Sequence, residues 1–175
     1  MKTFNYKCKV PKFKYYFRHP VEKILFFDIE TTGLSPKASS LYMIGVMFYN
    51  KEDNNWHLIQ FFADNYKSEA DMINSFLDIL ENYNYLYHFN GKTFDIPYIL
   101  NKCDKHGISP SEHSDKILND KNGIYSIDIL AYIRPVKKML NLSKANQTAL
   151  ERWLGIVRDD KFDGGKLIPI YTEYM

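Results

Sequence analysis

Apolar residues fall in short blocks along this chain, and each block has the period of a strand or of a helix. Residues 24–34, ILFFDIETTGL, begin with four apolar residues, reach Asp28 and Glu30 two apart, and close on a Thr-Thr-Gly turn. An aromatic and β-branched run bounded by glycine predicts a buried strand. Residues 41–49, LYMIGVMFY, predict a second strand. The polar turn 51–55, KEDNN, and a third strand over 56–63 follow. Short connections between these three suggest an antiparallel meander.

Helical periodicity then takes over. Ser68 with Asp71 reads as a partial capping box, and Ile73, Phe76, Leu77 and Leu80 occupy one face at i, i+3, i+4 and i+7, a core stripe. Residues 84–89, NYLYHF, predict a fourth strand ending at Asn90 and Gly91, and a helix is expected to begin near Asp95 and Pro97. The polar stretch 106–123 reads as a loop around Gly107 and Pro110. Residues 124–128 form a short fifth strand, followed by a helix that Pro135 kinks or divides. A further helix is expected over 142–154, capped by Ser143 and ended by Gly155, with Leu150, Trp153 and Leu154 inward. Residues 159–165 read as an acidic turn, and 167–175 run on without an evident helix. At the N-terminus, 2–10 reads as an edge strand stopped by Pro11.

Composition narrows the class. A chain of 175 residues with 45% hydrophobic content fits one globular domain with a sizeable core. Cys8 and Cys103 are distant and fit neither a disulfide framework nor a zinc site, so a reducing, cytoplasmic setting is the default expectation. No stretch is long and apolar enough for a membrane span or a secretion signal. The net charge of +2 is uneven. Residues 1–23 hold seven of the Lys and Arg and one acid, leaving 16 basic against 20 acidic residues, or −4, for the remainder. Within this basic arm Phe13, Tyr15, Tyr16 and Phe17 interleave with Lys12, Lys14 and Arg18. Either the aromatics stack bases while the cations meet phosphates, or the aromatics pack on the sheet and the lysines are solvated.

The chemistry centres on the acids. Side chains two apart on a strand share a face, so Asp28 and Glu30 should project together, and paired carboxylates are costly unless a cation joins them. Oxygen donors suit Mg²⁺ or Mn²⁺. The alternative is an exposed strand end with two solvated acids. Asp95 has a structural alternative too, as a helix N-cap.

FDIETTGL near the start, HFNGKTFDIPYI about 60 residues later, YSIDILAYIR over 125–134 and TALERWLGIVRDDKFDG over 148–164 together resemble the DEDD superfamily of 3′-5′ exonucleases, most of all its YprB-type RNase H-like branch. The resemblance runs over 24–175, with 1–23 left as the arm. It implies an α/β RNase H-like fold: a mixed five-stranded sheet, an antiparallel meander and then parallel strands, flanked by helices. It also implies that Asp28, Glu30 and Asp95 are three of four metal-binding carboxylates in a two-metal Mg²⁺ or Mn²⁺ site, and that Thr31 and Leu34 contact the terminal nucleotide. Asn90 and Phe94 would flank the second motif. Asp128 matches a recurring acid with a supporting role or a helix N-cap role.

One departure matters. The superfamily's fourth carboxylate follows a His or Tyr general base on a C-terminal helix, and the one Y-x-x-x-D here, Tyr49 with Asp53, falls in the predicted hairpin. The sequence is therefore either a fragment or a natural short form. Three carboxylates would hold a second ion poorly. The expectation is a 3′-5′ exonuclease acting on DNA or RNA, single-stranded 3′ ends favoured, weak or inactive as it stands. The alternatives are a non-catalytic nucleic-acid-binding module on the same fold and a scaffold whose acids are only solvated.

Overall fold

The computed structural model describes residues 1–8, 17–120, 123–157 and 164–175. Among the described residues there are six strands, β1 (Lys2–Cys8), β2 (Ile24–Thr31), β3 (Leu41–Asn50), β4 (Asn55–Phe62), β5 (Tyr85–His88) and β6 (Ser126–Asp128). The helices are α1 (Glu69–Leu80), α2 (Asp95–His106), α3 (Glu112–Asn119), α4 (Ile129–Val136), α5 (Gln147–Trp153) and α6 (Gly164–Tyr174).

The strands form one mixed sheet in the order β1-β4-β3-β2-β5-β6. Tight hairpin registers such as Gly45 opposite Gln60 make the β2-β3-β4 meander antiparallel, and β5 and β6 then run parallel to β2. Parallel neighbours need a crossover, which α1 supplies before β5. Its buried stripe, Met72, Ile73, Phe76, Leu77 and Leu80, packs on Leu25, Phe27, Ile44 and Val46 of the sheet, with the Phe76 ring stacked on Phe27 at 4.8 Å. Each such side chain removed from water contributes about 1.5–3 kcal/mol, so this layer dominates the core. Helix α2 adds Ile96, Ile99 and Cys103 to it and ends at Gly107, whose φ of 65° is the left-handed cap glycine accepts without strain.

The sheet has six strands rather than five, because residues 2–8 pair with 56–62 of β4 as an antiparallel edge strand. Residues 9–16 of the arm and 158–163 of the acidic turn lie outside the described residues. The 106–123 stretch contains α3, capped by Ser111, whose side chain accepts the Ser114 N–H, and α3 buries Ser114, Ile117 and Leu118. Only one narrow stripe is apolar in an eight-residue helix, so its composition reads as loop. The 142–154 helix is shorter than expected: α5 starts after Asn146, which caps the Ala149 N–H in place of Ser143, and Trp153 and Leu154 are exposed. The C-terminal stretch is helical after all. Gly164, Gly165 and Pro169 disfavour α6, but burial of Tyr171 against Tyr42 and Phe62 outweighs propensity. Ser68 precedes α1 without bonding its backbone and donates to Asp64 instead.

Candidate active site

Alternation along β2 buries Leu25, Phe27 and Ile29 on one face and turns Phe26, Asp28 and Glu30 to the other. Asp28 is exposed and Glu30 half-buried. Gly45 lies across from Asp28 and adds no side chain beside it. Beyond Glu30 the ladder slips: Glu30 pairs with Met43 and Thr31 with Leu41, so Tyr42 is an extra, bulged residue. A bulge re-aims its side chain, and the Tyr42 hydroxyl donates to Glu30 Oε2 at 3.4 Å. Its ring is buried and stacks on Tyr171 of α6 at 4.5 Å. Burial and the Glu30 charge push the phenol well above its ordinary range, so it remains a donor.

The third acid arrives from another element. Strand β5 pairs with β2 only as far as Phe26 opposite Tyr87, which leaves Ile29 without a β5 partner. Asp95, the first residue of α2, fills that side: its Oδ1 accepts the Ile29 N–H at 3.2 Å. Phe94, not Asp95, occupies the cap position of α2. Asp95 is 5% exposed. Burial, then the Asp28 charge, push its carboxyl up to about 7, against the opposing hydrogen bonds from backbone N–H groups and with a further push from Asp128. A buried carboxyl that holds its proton this tightly beside another acid marks a place where positive charge would be welcome.

The turn between β5 and α2 is held from beneath. Asn90, at φ 65°, gives its N–H to Asp128 Oδ1 at 2.8 Å, and the same oxygen caps α4 by accepting the Leu130 N–H at 3.0 Å. The Gly91 N–H donates to His88 Nδ1 at 3.0 Å, which leaves His88 Nε2–H to donate to Ser126 Oγ at 2.8 Å. A Cβ on Gly91 would lie 2.7 Å from the His88 ring, so only glycine fits. Burial, opposed by Asp128 and aided by Lys92, drives His88 down to about 4. Phe94 is half-buried against Tyr98. Next along the chain from Glu30, Thr31 Oγ1 donates to Gly33 O at 2.9 Å, and Leu34 stands 86% exposed.

Asp95 thus sits against the β2 backbone between Asp28 and Glu30, with Thr31 and Leu34 following on the chain and Asn90 and Phe94 on the turn into Asp95. Among the described residues no three His, Cys, Asp or Glu side chains close into a ready-made metal cage. The donor set itself, all oxygen with one acid buried and proton-retaining, fits a hard divalent cation. Sequence reasoning missed Tyr42 and His88. Neither the bulge that aims Tyr42 nor the turn that needs His88 has a local sequence signature.

The strand order β4-β3-β2-β5-β6, antiparallel then parallel, is that of an RNase H-like fold. The chain belongs to the RNase_H superfamily, whose family pattern matches residues 25–175. It is 39% identical over 59 residues to DNA polymerase 1 of Sulfurisphaera ohwakuensis, a match covering 34% of this chain and 7% of the polymerase. It is 38% identical over 47 residues to the DNA polymerase of Ostreid herpesvirus 1 (isolate France), covering 26% of this chain and 2% of that one. Its fold is similar to the family B DNA polymerase of Pyrobaculum calidifontis, with TM-score 0.64, 16% identity, and 91% of this chain on 22% of that one. It is also similar to E. coli exonuclease I solved with a dT13 oligonucleotide, with TM-score 0.54, 14% identity, and 86% of this chain on 40% of that one. The chain spans less than half the length of each.

Proposed function

We propose that this chain is a DEDD-type nuclease module of the YprB-type branch that hydrolyses phosphodiester bonds from the 3′ end of a single strand. The observation that carries the reading is the seating of Asp95 on the backbone between Asp28 and Glu30, which gathers three acids from two elements at one strand end. In this reading Asp28, Glu30 and Asp95 hold Mg²⁺ or Mn²⁺. The ion supplies charge neutralisation and an activated water. Glu30 is steadied by the Tyr42 hydroxyl. Thr31 and Leu34 on one side, and Asn90 and Phe94 on the other, bracket the terminal nucleotide. Asp128 ties the Asn90 turn to α4 and stands behind the site rather than in it. The basic residues of the arm, 1–23, would meet the strand's phosphates, with residues 2–8 of it anchored in the sheet as β1. Free Cys8 and Cys103 fit work in a reducing cytoplasm. Among the described residues no helix is long and apolar enough to cross a membrane.

The test is Mn²⁺-dependent degradation of 3′-labelled and 5′-labelled single-stranded oligonucleotides, with Asp28→Ala alongside. Stepwise loss from the 3′ end, absent in the variant, is the expected result. Cleavage that persists in Asp28→Ala overturns the assignment. The only Y-x-x-x-D of the sequence, Tyr49 with Asp53, falls in the β3-β4 hairpin and not on a C-terminal helix, which favours a second reading, a nucleic-acid-binding module without catalysis. That reading requires salt-sensitive binding of single strands that survives Asp28→Ala, with no cleavage by either protein.

A further inference from the structure

Away from the acids, the core contains an ion pair that the proposed chemistry does not use. Lys102 of α2 has no exposed side-chain surface, and its Nζ lies 2.8 Å from Glu69 Oε1 on α1. Burial pushes Glu69 up, but hydrogen bonds from Lys102, the Leu41 N–H and His106, with the Lys102 charge, outweigh it and hold the carboxyl below its ordinary range. Each partner of the pair also grips backbone. Glu69 Oε1 accepts the Leu41 N–H at 2.8 Å, the first amide of β3, and Lys102 Nζ donates to Ser39 O at 2.6 Å. On its other oxygen Glu69 meets His106 Nε2 at 2.7 Å and Lys105 Nζ at 3.4 Å.

Packing alone does not call for this arrangement. Apolar side chains of similar volume often serve a core as well as a buried ion pair or better, because two charges need not be stripped of water. They cannot hold a carbonyl and an amide at fixed points on a loop. That loop is the 32–40 connection, whose ends are pinched by Thr32 N–H to Ser40 O at 2.9 Å and Ser40 N–H to Thr32 Oγ1 at 2.8 Å. It follows Thr31 directly and carries Leu34. Lys102 stands seven residues after Asp95 on α2, about two turns along the same face. One rigid helix therefore touches the β2 backbone at one end and this loop two turns later.

We infer that Lys102, held by Glu69, is a positioning residue that fixes the 32–40 loop, and with it Thr31 and Leu34, relative to Asp95. The consequence for nucleotide binding rests on the nuclease reading above; the positioning does not. In Lys102→Met the stem remains and the donor is lost. Amide exchange at Thr32 and Ser40 should accelerate about tenfold or more relative to Val46 in the middle of β3. Leu118→Ala, a core truncation on α3, serves as the control: it should lower Tm and leave that ratio unchanged. If the Thr32 and Ser40 amides keep pace with Val46 in Lys102→Met, the inference is overturned. Where Lys102→Met does not fold, Glu69→Gln is read at the same amides, with the same two outcomes. Fluorescence anisotropy of a labelled single-stranded oligonucleotide, run in parallel, should show weaker binding by the same variant. A loosened loop with unchanged affinity leaves the positioning intact and removes Thr31 and Leu34 from the nucleotide contacts. A wild-type chain that binds no oligonucleotide defeats the nuclease reading, while the exchange measurement still decides the role of Lys102.

Discussion

Asp95 Oδ1 accepts the N–H of Ile29, the residue between Asp28 and Glu30. A carboxylate that bonds the spine of a strand cannot drift from the side chains that flank it. Asp95 is thereby held against the backbone between the other two acids by a hydrogen bond that also satisfies an amide left over where β5 stops pairing.

The same seating is electrostatically costly, and Asp95→Asn should expose that. Asparagine keeps the acceptor for Ile29 and removes a buried charge beside Asp28. Tm without divalent ions should rise by a few degrees. With millimolar Mn²⁺ added, the wild type should gain Tm and Asp95→Asn should gain much less. Equal Mn²⁺ shifts in the two proteins would remove Asp95 from the ion site.

His88 sets a pH dependence. Its folded pKa of about 4 lies below the 6.5 of a free imidazole, so between those values the unfolded chain takes up a proton that the folded chain refuses. Its contribution is whole above pH 6.5 and is lost as pH falls toward 4, on the order of 3 kcal/mol across that window. Urea midpoints at pH 7 and pH 5 measure it. The drop should shrink in His88→Gln, and an equal drop in both proteins would assign the acid sensitivity elsewhere.

Two glycines separate steric from conformational cost. Gly91→Ala drives a methyl into the His88 ring and should cost about 1–3 kcal/mol by chemical denaturation. Gly107→Ala meets open space but must hold φ at +65°, a cost of about 1 kcal/mol. A Gly91→Ala protein as stable as the wild type would mean that the turn beneath the site yields.

Helix α6 docks on the sheet chiefly through Tyr171, its most buried residue. Tyr171→Ala removes the partner of Tyr42 and Phe62 and should cost about 3–5 kcal/mol, whereas Ile170→Ala, next to it but 48% exposed, should cost well under 1 kcal/mol. Similar costs for the two would mean that α6 does not dock through Tyr171.

What the sequence reveals here depends on whether its signal is local. The alternation in ILFFDIET and the helical stripe through Phe76 and Leu80 are properties of a few neighbouring residues, so the central strand, the meander and α1 are legible. The shared face of Asp28 and Glu30 follows from the same period of two. Where Asp95 sits depends on how far β5 runs along β2, which no stretch of sequence states. Tyr42 reads as one more apolar strand residue until the ladder slips beside it. Helix α6 carries two glycines and a proline, and it forms against residues distant in sequence, Tyr42, Phe62 and Lys2. Strand β1 is exposed along nearly its whole length, so its pairing to β4 rests on backbone bonds that leave little hydrophobic signature.

The parallel register of β2 with β5 also bears on the order of folding. Ile24 meets Tyr85 and Leu25 meets Leu86 across some sixty residues of chain, whereas Asp28 and Glu30 lie in a hairpin whose partners are close in sequence. Contacts that close short loops form early, and those that close long ones wait. The meander can therefore assemble with two acids splayed into water and no penalty from the third. Asp95 joins them only when β5 docks and α2 grows from its end, so the repulsion among the carboxylates falls on a step later than the closing of the meander. A chain stalled between the two would keep its hairpins and lack the third acid.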